Sequence, residues 1–301
     1  MKVLITGGLG FVGTQLSIRL LEKGHQITVV DRSPEAHEHT PGEVRYVSGD
    51  TTVQGAWQQE VAAQDGVINL AGASIFSRWN EETKKLMYDS RVFTTRNVVE
   101  AMSGKERAVL CSTSAVGYYG FRGDEEIAED GTPGDDFLAS LCVDWEKEAN
   151  KAADKGIRVA ITRFGIVLGK TGGALGQMIP AFKRFVGGPL GSGNQWFSWI
   201  HMEDLLNAFL FVFENQDVSG PVNFCSPHPI QNRELAKALG KVLSRPSFLK
   251  TPGFMLKLVL GEFGSVLLEG QRVIPGKLLK NGFTFRYPDI AGALEEVVGA
   301  Q

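Results

Sequence analysis

This sequence has few cysteines, no large excess of charge of one sign and no long apolar run. The three cysteines, Cys111, Cys142 and Cys225, are an odd and widely spaced set, which argues against a disulfide framework or a C-x-x-C metal site and indicates a reducing compartment. No apolar run approaches the length of about 18 residues that a membrane span needs. The 31 basic and 34 acidic residues are mixed along the chain and give a net charge of −3. This balance argues against nucleic acid or an anionic membrane as a partner.

What the sequence does contain is the composition of an ordinary globular protein, with 43% hydrophobic and 22% charged residues. A chain of 301 residues can bury a substantial core and form one large α/β domain with a smaller lobe. It enters an apolar run at once, MKVLIT, with no charged-then-apolar leader. Together with the cysteine content, this start predicts a cytoplasmic protein.

Short apolar runs and helical stretches alternate through the first 165 residues. Strands are predicted at residues 2–6, 26–30, 44–47, 66–70, 108–113 and 157–164. Helices are predicted from Phe11 to the break at Gly24 and at residues 53–63, 80–103 and 136–155. This βαβα alternation predicts an α/β fold of the Rossmann-like, doubly wound kind, with a parallel sheet between two layers of helices.

Beyond residue 165 the pattern changes. Glycine recurs through residues 169–194, which predicts a loop-rich segment around one helix, and an apolar helix and a last short strand, PVNFCS, follow. From residue 226 the chain is helical, is interrupted by prolines and ends in a hydrophobic helix. We therefore predict that residues 1–165 and 200–225 form a dinucleotide-binding domain. Residues 166–199 and 226–301 are predicted to form a smaller, mostly helical substrate lobe.

A glycine loop follows the first predicted strand directly. Gly7, Gly10 and Gly13 give G-x-x-G-x-x-G at the opening of a helix, where glycine permits a tight turn, close approach of backbone to pyrophosphate and close packing of helix on sheet. The helix begins at Phe11 and Val12, whose backbone N–H groups and positive dipole end suit phosphate. The motif and its position predict dinucleotide binding.

Two residues at the end of the second strand favour different cofactors. Asp31 would bind the ribose 2′-OH of NAD(H), whereas Arg32 can pair with the 2′-phosphate of NADP(H) and stack on adenine. We favour NADP(H) and keep NAD(H) as the alternative. Asp50 and Thr51 follow the third strand, where a side chain can reach the adenine edge.

The fourth strand ends in NLAG, whose small residues let the backbone of Leu70, Ala71 and Gly72 lie against the cofactor ribose. In CSTSAVGYYG the next strand ends in hydroxyl side chains at the carboxyl edge of the sheet, which is the edge where doubly wound folds bind ligands.

These motifs, with RFG at residues 163–165 and WIHMEDL at 199–205, resemble the extended short-chain dehydrogenase/reductase superfamily, the NAD-dependent epimerase/dehydratase group. More narrowly, NLAGASIFSRW, SAVGYYG and GPVNFCSP resemble an atypical epimerase-like branch with a distinctive C-terminal domain. The resemblance implies an NADP(H)-binding protein with a small-molecule substrate. It also implies that Ser114 hydrogen-bonds the substrate, that Tyr119 shapes the pocket and that Gly165 lies at the cofactor.

The chain departs from that family at the helix DDFLASLCVDWEKEA. Where the family has the tyrosine and lysine of its proton relay, this sequence has Leu138 and Cys142. Leucine cannot transfer a proton, and cysteine supplies no positive charge. The ordinary mechanism, in which a lysine lowers the pKa of a tyrosine, is therefore absent.

Three interpretations remain open. First, Tyr118, Tyr119 or His201 supplies the proton, with Tyr119 the preferred candidate. Second, Cys142 is a reactive thiol facing the nicotinamide. Third, the protein binds NADP(H) without turnover, as a sensing regulatory module. Arg91, near the position of an asparagine in the family's relay, either binds an acidic substrate, holds the Ser114 loop or is an exposed helix charge.

The first interpretation makes the protein an NADP(H)-dependent oxidoreductase or epimerase-like enzyme acting on a small polar, sugar-like substrate. Ser114 would orient the reacting oxygen and Tyr119 would move the proton. The non-catalytic NADP(H)-sensing module is the alternative, and the oligomeric state stays open.

Overall fold

A computed structural model describes residues 1–36, 40–105, 107–170 and 172–299. The strands are β1 (Lys2–Thr6), β2 (Gln26–Asp31), β3 (Arg45–Ser48), β4 (Gly66–Asn69), β5 (Val109–Ala115), β6 (Glu126–Ile127), β7 (Arg158–Phe164), β8 (Ile166–Gly169), β9 (Trp196–Phe197), β10 (Trp199–His201), β11 (Gly220–Phe224), β12 (Ile230–Gln231) and β13 (Arg272–Val273). The α-helices are α1 (Phe11–Glu22), α2 (Trp57–Ala62), α3 (Glu81–Ala101), α4 (Phe137–Asn150), α5 (Gly173–Lys183), α6 (Met202–Glu214), α7 (Asn232–Leu243), α8 (Gly253–Leu260), α9 (Glu262–Val266), α10 (Gly276–Lys280) and α11 (Ile290–Val298). Two 3₁₀ turns span Val116–Tyr119 and Lys151–Lys155.

Seven strands form one sheet in the order β3-β2-β1-β4-β5-β7-β11, and each neighbouring pair is parallel. The chain builds outward from β1 to one edge and then from β4 to the other. A cleft therefore opens at the carboxyl ends of β1 and β4, the switch point where doubly wound sheets bind ligands. The predicted fold class is confirmed.

Alternation along the strands explains why both faces of the sheet are covered. In β1, Val3 and Ile5 point to the face covered by α1 and α6, whereas Leu4 points to the face covered by α2, α3 and α4. The middle residues of these strands are buried on both faces because helices cover a parallel sheet on both sides.

Side-chain caps place the helices that flank the cleft. Asp136 accepts the N–H groups of Leu138 and Ala139 and so begins α4. Asn80 and Thr83 form a reciprocal capping box at the start of α3. These local signals set where each helix starts, and hence which residues face the sheet edge.

The rest of the chain forms small sheets and short helices beside the carboxyl edge. β8 pairs with β10, β9 with β12 and β6 with β13, and α5, α7 and α11 enclose a third apolar core. α8 differs from the other helices of its length or longer because none of its residues is buried, and Phe254 and Leu258 are 72% and 74% exposed. None of the described helices is both long and apolar enough to cross a bilayer. The predicted division into two domains, and the cytoplasmic location, stay predictions.

Candidate functional site

The glycine loop between β1 and α1 leaves no room for a side chain at Gly7 or Gly13. A Cβ on Gly13 would lie 2.5 Å from the Gly7 carbonyl oxygen, and one on Gly7 would lie 2.9 Å from Cα of Ala71. Gly7 also has φ +67°, a conformation that favours glycine. The Gly10 N–H donates to the Gly7 carbonyl oxygen at 3.0 Å and closes the turn. The loop thus presents bare backbone at the switch point.

The N-terminus of α1 faces this loop without a competing cap. Gly10 is the N-cap residue and has no side chain to accept the first N–H groups, and the first turn contains no acidic residue. Phe11 and Val12, the first residues of the helix, are half-buried, and the Phe11 ring packs against Gly169 and Gly173. Free N–H groups and the positive end of the helix dipole fit a phosphate, so the loop suits a dinucleotide.

Asp31 and Arg32 are placed differently at the end of β2. The Asp31 carboxylate accepts the N–H groups of Leu9 and Ser33, both at 3.4 Å, so it already binds the glycine loop. Arg32 is exposed and has no side-chain partner within the described ranges, apart from its electrostatic contact with Asp50. This arrangement leaves Arg32 available to an anionic ligand.

Asp50 and Thr51 follow β3 as predicted, but their side chains are engaged. Asp50 accepts the N–H and the hydroxyl of Thr52, and these bonds, with the charge of Arg32, lower the pKa of Asp50 against the opposing effect of burial. Thr51 is buried, with its Oγ1 2.8 Å from Oγ1 of Thr94. Asp50 therefore lies at the surface of the cleft, whereas Thr51 ties the loop to α3.

The NLAG segment is held against β1 by its asparagine. Asn69 accepts a hydrogen bond from the Thr6 hydroxyl at 2.6 Å and donates to Thr95 at 2.7 Å. Leu70 and Ala71 follow, half-buried beside the glycine loop, and Gly72 after them is exposed. The structure thus brings the two backbone segments predicted to hold the cofactor together at one edge.

Ser114 and Tyr119 belong to a buried polar group that we call the inner cluster: Ser114, Tyr119, Glu146, Arg163 and Asn223. Ser114 Oγ donates a hydrogen bond to Glu146 Oε1 at 2.7 Å. Arg163 donates two hydrogen bonds of 2.8 Å to the same carboxylate. Arg163 also donates to the Tyr119 hydroxyl at 2.9 Å, which in turn donates to Asn223 Oδ1 at 2.7 Å. The side chains of Arg163 and Glu146 are 2% and 8% exposed, respectively.

The inner cluster gives Ser114 and Tyr119 partners inside the protein. Tyr119 is fully buried, and burial raises its pKa well above the ordinary value of a phenol, so its environment disfavours proton release. Tyr118, next to it, is half-buried, and its hydroxyl has no hydrogen-bond partner within the described residues. Its ring lies 3.5 Å from Cζ of Arg163. The catalytic roles of Ser114 and Tyr119 stay predictions.

The helix without the tyrosine–lysine pair is α4. Leu138 packs near Gly117, and Cys142 is 3% exposed with Sγ 3.9 Å from the Ala115 carbonyl oxygen. Burial and the nearby Glu146 raise the pKa of the Cys142 thiol to about 11. A neutral, enclosed thiol argues against Cys142 as a nucleophile.

The buried thiols predict a loss of stability at alkaline pH. Burial raises the pKa of Cys142 to about 11 and that of Cys111 to about 12, so the unfolded chain releases these protons first as the pH rises above about 9. The free energy of unfolding should fall through this window, by up to about 1.4 kcal/mol per thiol and pH unit. Urea denaturation between pH 8 and 11 measures it. Cys142→Val should remove the part of this pH dependence that comes from the Cys142 thiol. An equal pH dependence in that variant would contradict the attribution to Cys142.

His201 caps the N-terminus of α6. Its Nδ1 accepts the Glu203 N–H at 3.1 Å, which fixes the proton on Nε2, and Nε2 donates to Glu296 at 3.0 Å. Burial lowers the pKa of His201 despite the nearby carboxylate. Because both ring nitrogens are engaged, this histidine is held as a helix cap, which argues against it as the proton donor.

Several residues of the site do not stand out in the sequence analysis. Glu146, Arg163 and Asn223 complete the inner cluster. For Arg163, in IRVAITRF, and for Asn223, the sequence signal is a charged or amide residue inside an apolar strand. The Thr113 hydroxyl is buried without a partner among the described residues, at the end of β5. Gly165 is packed, since a Cβ there would lie 2.9 Å from the Ser198 carbonyl oxygen, and its contact with cofactor stays a prediction.

The strand order and the glycine-rich loop before α1 define a dinucleotide-binding fold of the Rossmann type. Residues 3–225 match the NAD dependent epimerase/dehydratase family, and the chain belongs to that family. Residues 251–297 match a domain of unknown function, DUF1731. The resemblance inferred from the motifs is confirmed.

The chain is similar to relatives over nearly its whole length. A chloroplastic epimerase family protein of Arabidopsis thaliana, an SDR39U1 homologue, is 41% identical over 99% of this chain and 87% of its own. The epimerase family protein YfhF of Bacillus subtilis is 37% identical over 99% of this chain and 98% of its own.

Solved structures extend the comparison. The human epimerase family protein SDR39U1 (isoform 2), crystallised with NADPH, is 33% identical with a TM-score of 0.87, and the match covers 100% of both chains. UDP-glucuronic acid 4-epimerase from Bacillus cereus, in complex with NAD, has a TM-score of 0.78 over 98% of this chain and 96% of its own. At 16% identity, that second likeness shows the fold alone.

Proposed function

We propose that this protein is an NADP(H)-dependent oxidoreductase or epimerase-like enzyme that acts on a small polar, sugar-like substrate. The proposal depends chiefly on the bare backbone cradle of Gly7, Gly10 and Gly13 at the uncapped N-terminus of α1, which suits a pyrophosphate. The human relative crystallised with NADPH supports the same cofactor class. NADP(H), when bound, supplies or accepts a hydride.

NADP(H) is favoured over NAD(H) by the two residues at the end of β2. Asp31 already accepts two backbone N–H groups, whereas Arg32 is exposed beside it. A 2′-phosphate would meet a free guanidinium there, and the carboxylate would remain bonded to the glycine loop.

The chain's own residues must move the proton, since α4 offers only Leu138 and Cys142 at the positions of the family's pair. We assign the proton transfer to Tyr118, whose hydroxyl is unengaged within the described residues, rather than to Tyr119. Arg163 contacts the rings of both tyrosines and is fixed by Glu146, so the inner cluster positions Tyr118. Ser114, in this proposal, orients the loop that carries Tyr118.

Separate titrations with NADPH and NADH test the cofactor assignment. Quenching of the five tryptophans should show NADPH binding at least tenfold more tightly, which is about 1.4 kcal/mol. Arg32→Gln should remove most of that preference and leave NADH affinity unchanged. A preference for NADH in the unchanged protein would reverse the cofactor assignment, and binding of neither would remove the basis of the proposal.

Turnover is then tested on the NADPH-loaded protein with a panel of sugar-like carbonyl compounds. Tyr118→Phe should abolish NADPH oxidation while NADPH affinity stays within about twofold, because only the proton donor is lost. Tyr119→Phe, the matched variant, should retain turnover in proportion to its folded fraction. Loss of activity in Tyr119→Phe alone would return the role to Tyr119.

A non-catalytic NADP(H)-sensing module is the second candidate, and the absence of the tyrosine–lysine pair on α4 is the observation that favours it. For a sensor, no panel compound should oxidise bound NADPH, and NADPH should change partner binding or oligomeric state.

A further inference from the structure

Arg91 lies in α3 directly behind the NLAG loop. Its Cζ would be 3.0 Å from a Cβ on Gly72, so the guanidinium lies flat against the glycine that ends this loop. Nη2 donates to the Ala73 carbonyl oxygen at 3.0 Å, and Nη1 donates to the Met87 carbonyl oxygen at 3.1 Å. Two hydrogen bonds to the main chain hold the charge beside the end of the NLAG loop.

The charge of Arg91 has no carboxylate partner within the described residues. Its two acceptors are neutral carbonyl groups, and burial lowers the pKa of the guanidinium. The other arginines beside α4 are compensated, since Arg163 pairs with Glu146 and Arg96 pairs with Glu148. A desolvated cation without an anion costs free energy unless a ligand supplies the missing charge.

Residues of helix α4 also lie near the Arg91 side chain. Cys142 lies close enough to Arg91 for the two to interact electrostatically, and the Trp145 ring centroid is 5.4 Å from the guanidinium. The thiol is small and neutral, so α4 supplies no cation there. The positive charge in this corner comes from α3 instead.

We propose that Arg91 binds the ribose–pyrophosphate part of NADP(H) where it passes Gly72 and Ala73, taking the place of the cation that α4 lacks at Cys142. The inference rests on the proposed function, because it needs a dinucleotide in the cleft. It makes Arg91 a cofactor-binding residue. The hydrogen bonds to the Met87 and Ala73 carbonyl oxygens fix the guanidinium before any ligand arrives.

Arg91→Met tests this directly, since methionine keeps the apolar stem and removes the charge. Fluorescence titration should show NADPH affinity at least tenfold lower than in the unchanged protein, and the loss should shrink as salt is raised. Arg91→Lys should keep a larger part of the affinity. Arg96→Met is the matched control, because Arg96 lies on the same helix, its side chain is 44% exposed and its charge is paired with Glu148. Its NADPH affinity should be unchanged.

A second variant moves the cation back to α4. In Arg91→Met with Cys142→Lys, NADPH affinity should recover at least threefold over Arg91→Met alone. Thermal unfolding of each variant without ligand separates a binding defect from a folding defect, and where the double variant does not fold, Arg91→Met and Arg91→Lys decide the matter.

The outcomes separate this inference from the proposed function. Equal NADPH affinity in Arg91→Met and the unchanged protein would overturn the role of Arg91 and leave NADPH binding intact. No NADPH binding by the unchanged protein would overturn the proposed function, and the inference with it. A tenfold loss confined to the Arg91 variants supports both.

Discussion

Glu146→Ala is expected to lower the free energy of unfolding by about 3–5 kcal/mol. The carboxylate accepts two bonds from Arg163 and one from Ser114 in a place where both charged side chains are almost fully enclosed. Removing it leaves a buried guanidinium with only neutral acceptors, the Tyr119 hydroxyl and the Glu129 carbonyl oxygen. Equilibrium denaturation in urea, followed by tryptophan fluorescence, measures the loss.

Glu148→Ala is the matched control on the same helix. Its partners Arg96 and Lys151 are 44% and 51% exposed and can be solvated when the carboxylate is gone, so the loss should stay within about 1 kcal/mol. Equal losses in the two variants would mean that the inner cluster contributes no more to stability than a surface ion pair.

Gly13→Ala is expected to have the second large effect, on stability and on cofactor binding together. The added Cβ would lie 2.5 Å from the Gly7 carbonyl oxygen and 2.6 Å from the Gly8 Cα, both main-chain atoms that cannot rotate away. Overpacking of this kind costs about 1–3 kcal/mol. Because the displaced atoms form the phosphate cradle, NADPH affinity should fall at least tenfold.

Gly292→Ala provides the comparison for that variant. Gly292 lies in α11 and is exposed, and a methyl group added there would have no described atom within 4 Å. Alanine should therefore raise the free energy of unfolding by about 0.5–1 kcal/mol, because it restricts the unfolded chain without crowding the helix. Unchanged NADPH affinity in Gly13→Ala would show that the loop does not hold the phosphates.

The fold could be predicted from the sequence because local and global signals agree. The apolar runs that form β1, β2, β4, β5 and β7 are short and lie between helical stretches, a pattern that favours a parallel sheet with helices on both faces. Glycine at the first turn identifies the cleft for a similar reason, since the backbone there is crowded by main-chain atoms. Short strands such as β8 and β13 carry too few residues to give a pattern and are not predicted.

The inner cluster could not be predicted because its members meet only in three dimensions. Tyr119 and Asn223 are 104 positions apart, and their hydrogen bond depends on β11 pairing with β7. Tyr119 and Tyr118 are neighbours in the sequence, so no pattern shows which hydroxyl is enclosed and which is unengaged. The sequence does not decide between a ligand-binding and an exposed role for Arg91 for the same reason, since its Gly72 contact comes from the folded loop.

The position of β11 has a consequence for synthesis of the chain. β7 is complete at residue 164, but its outer partner ends at residue 224, after three small strands and two helices have intervened. During translation, therefore, β7 is an open sheet edge whose residues are mostly buried in the folded protein, while some 60 further residues emerge. Nascent chains stalled in this interval would be the ones most dependent on chaperones, and a split or truncation between residues 165 and 220 would expose the same edge permanently.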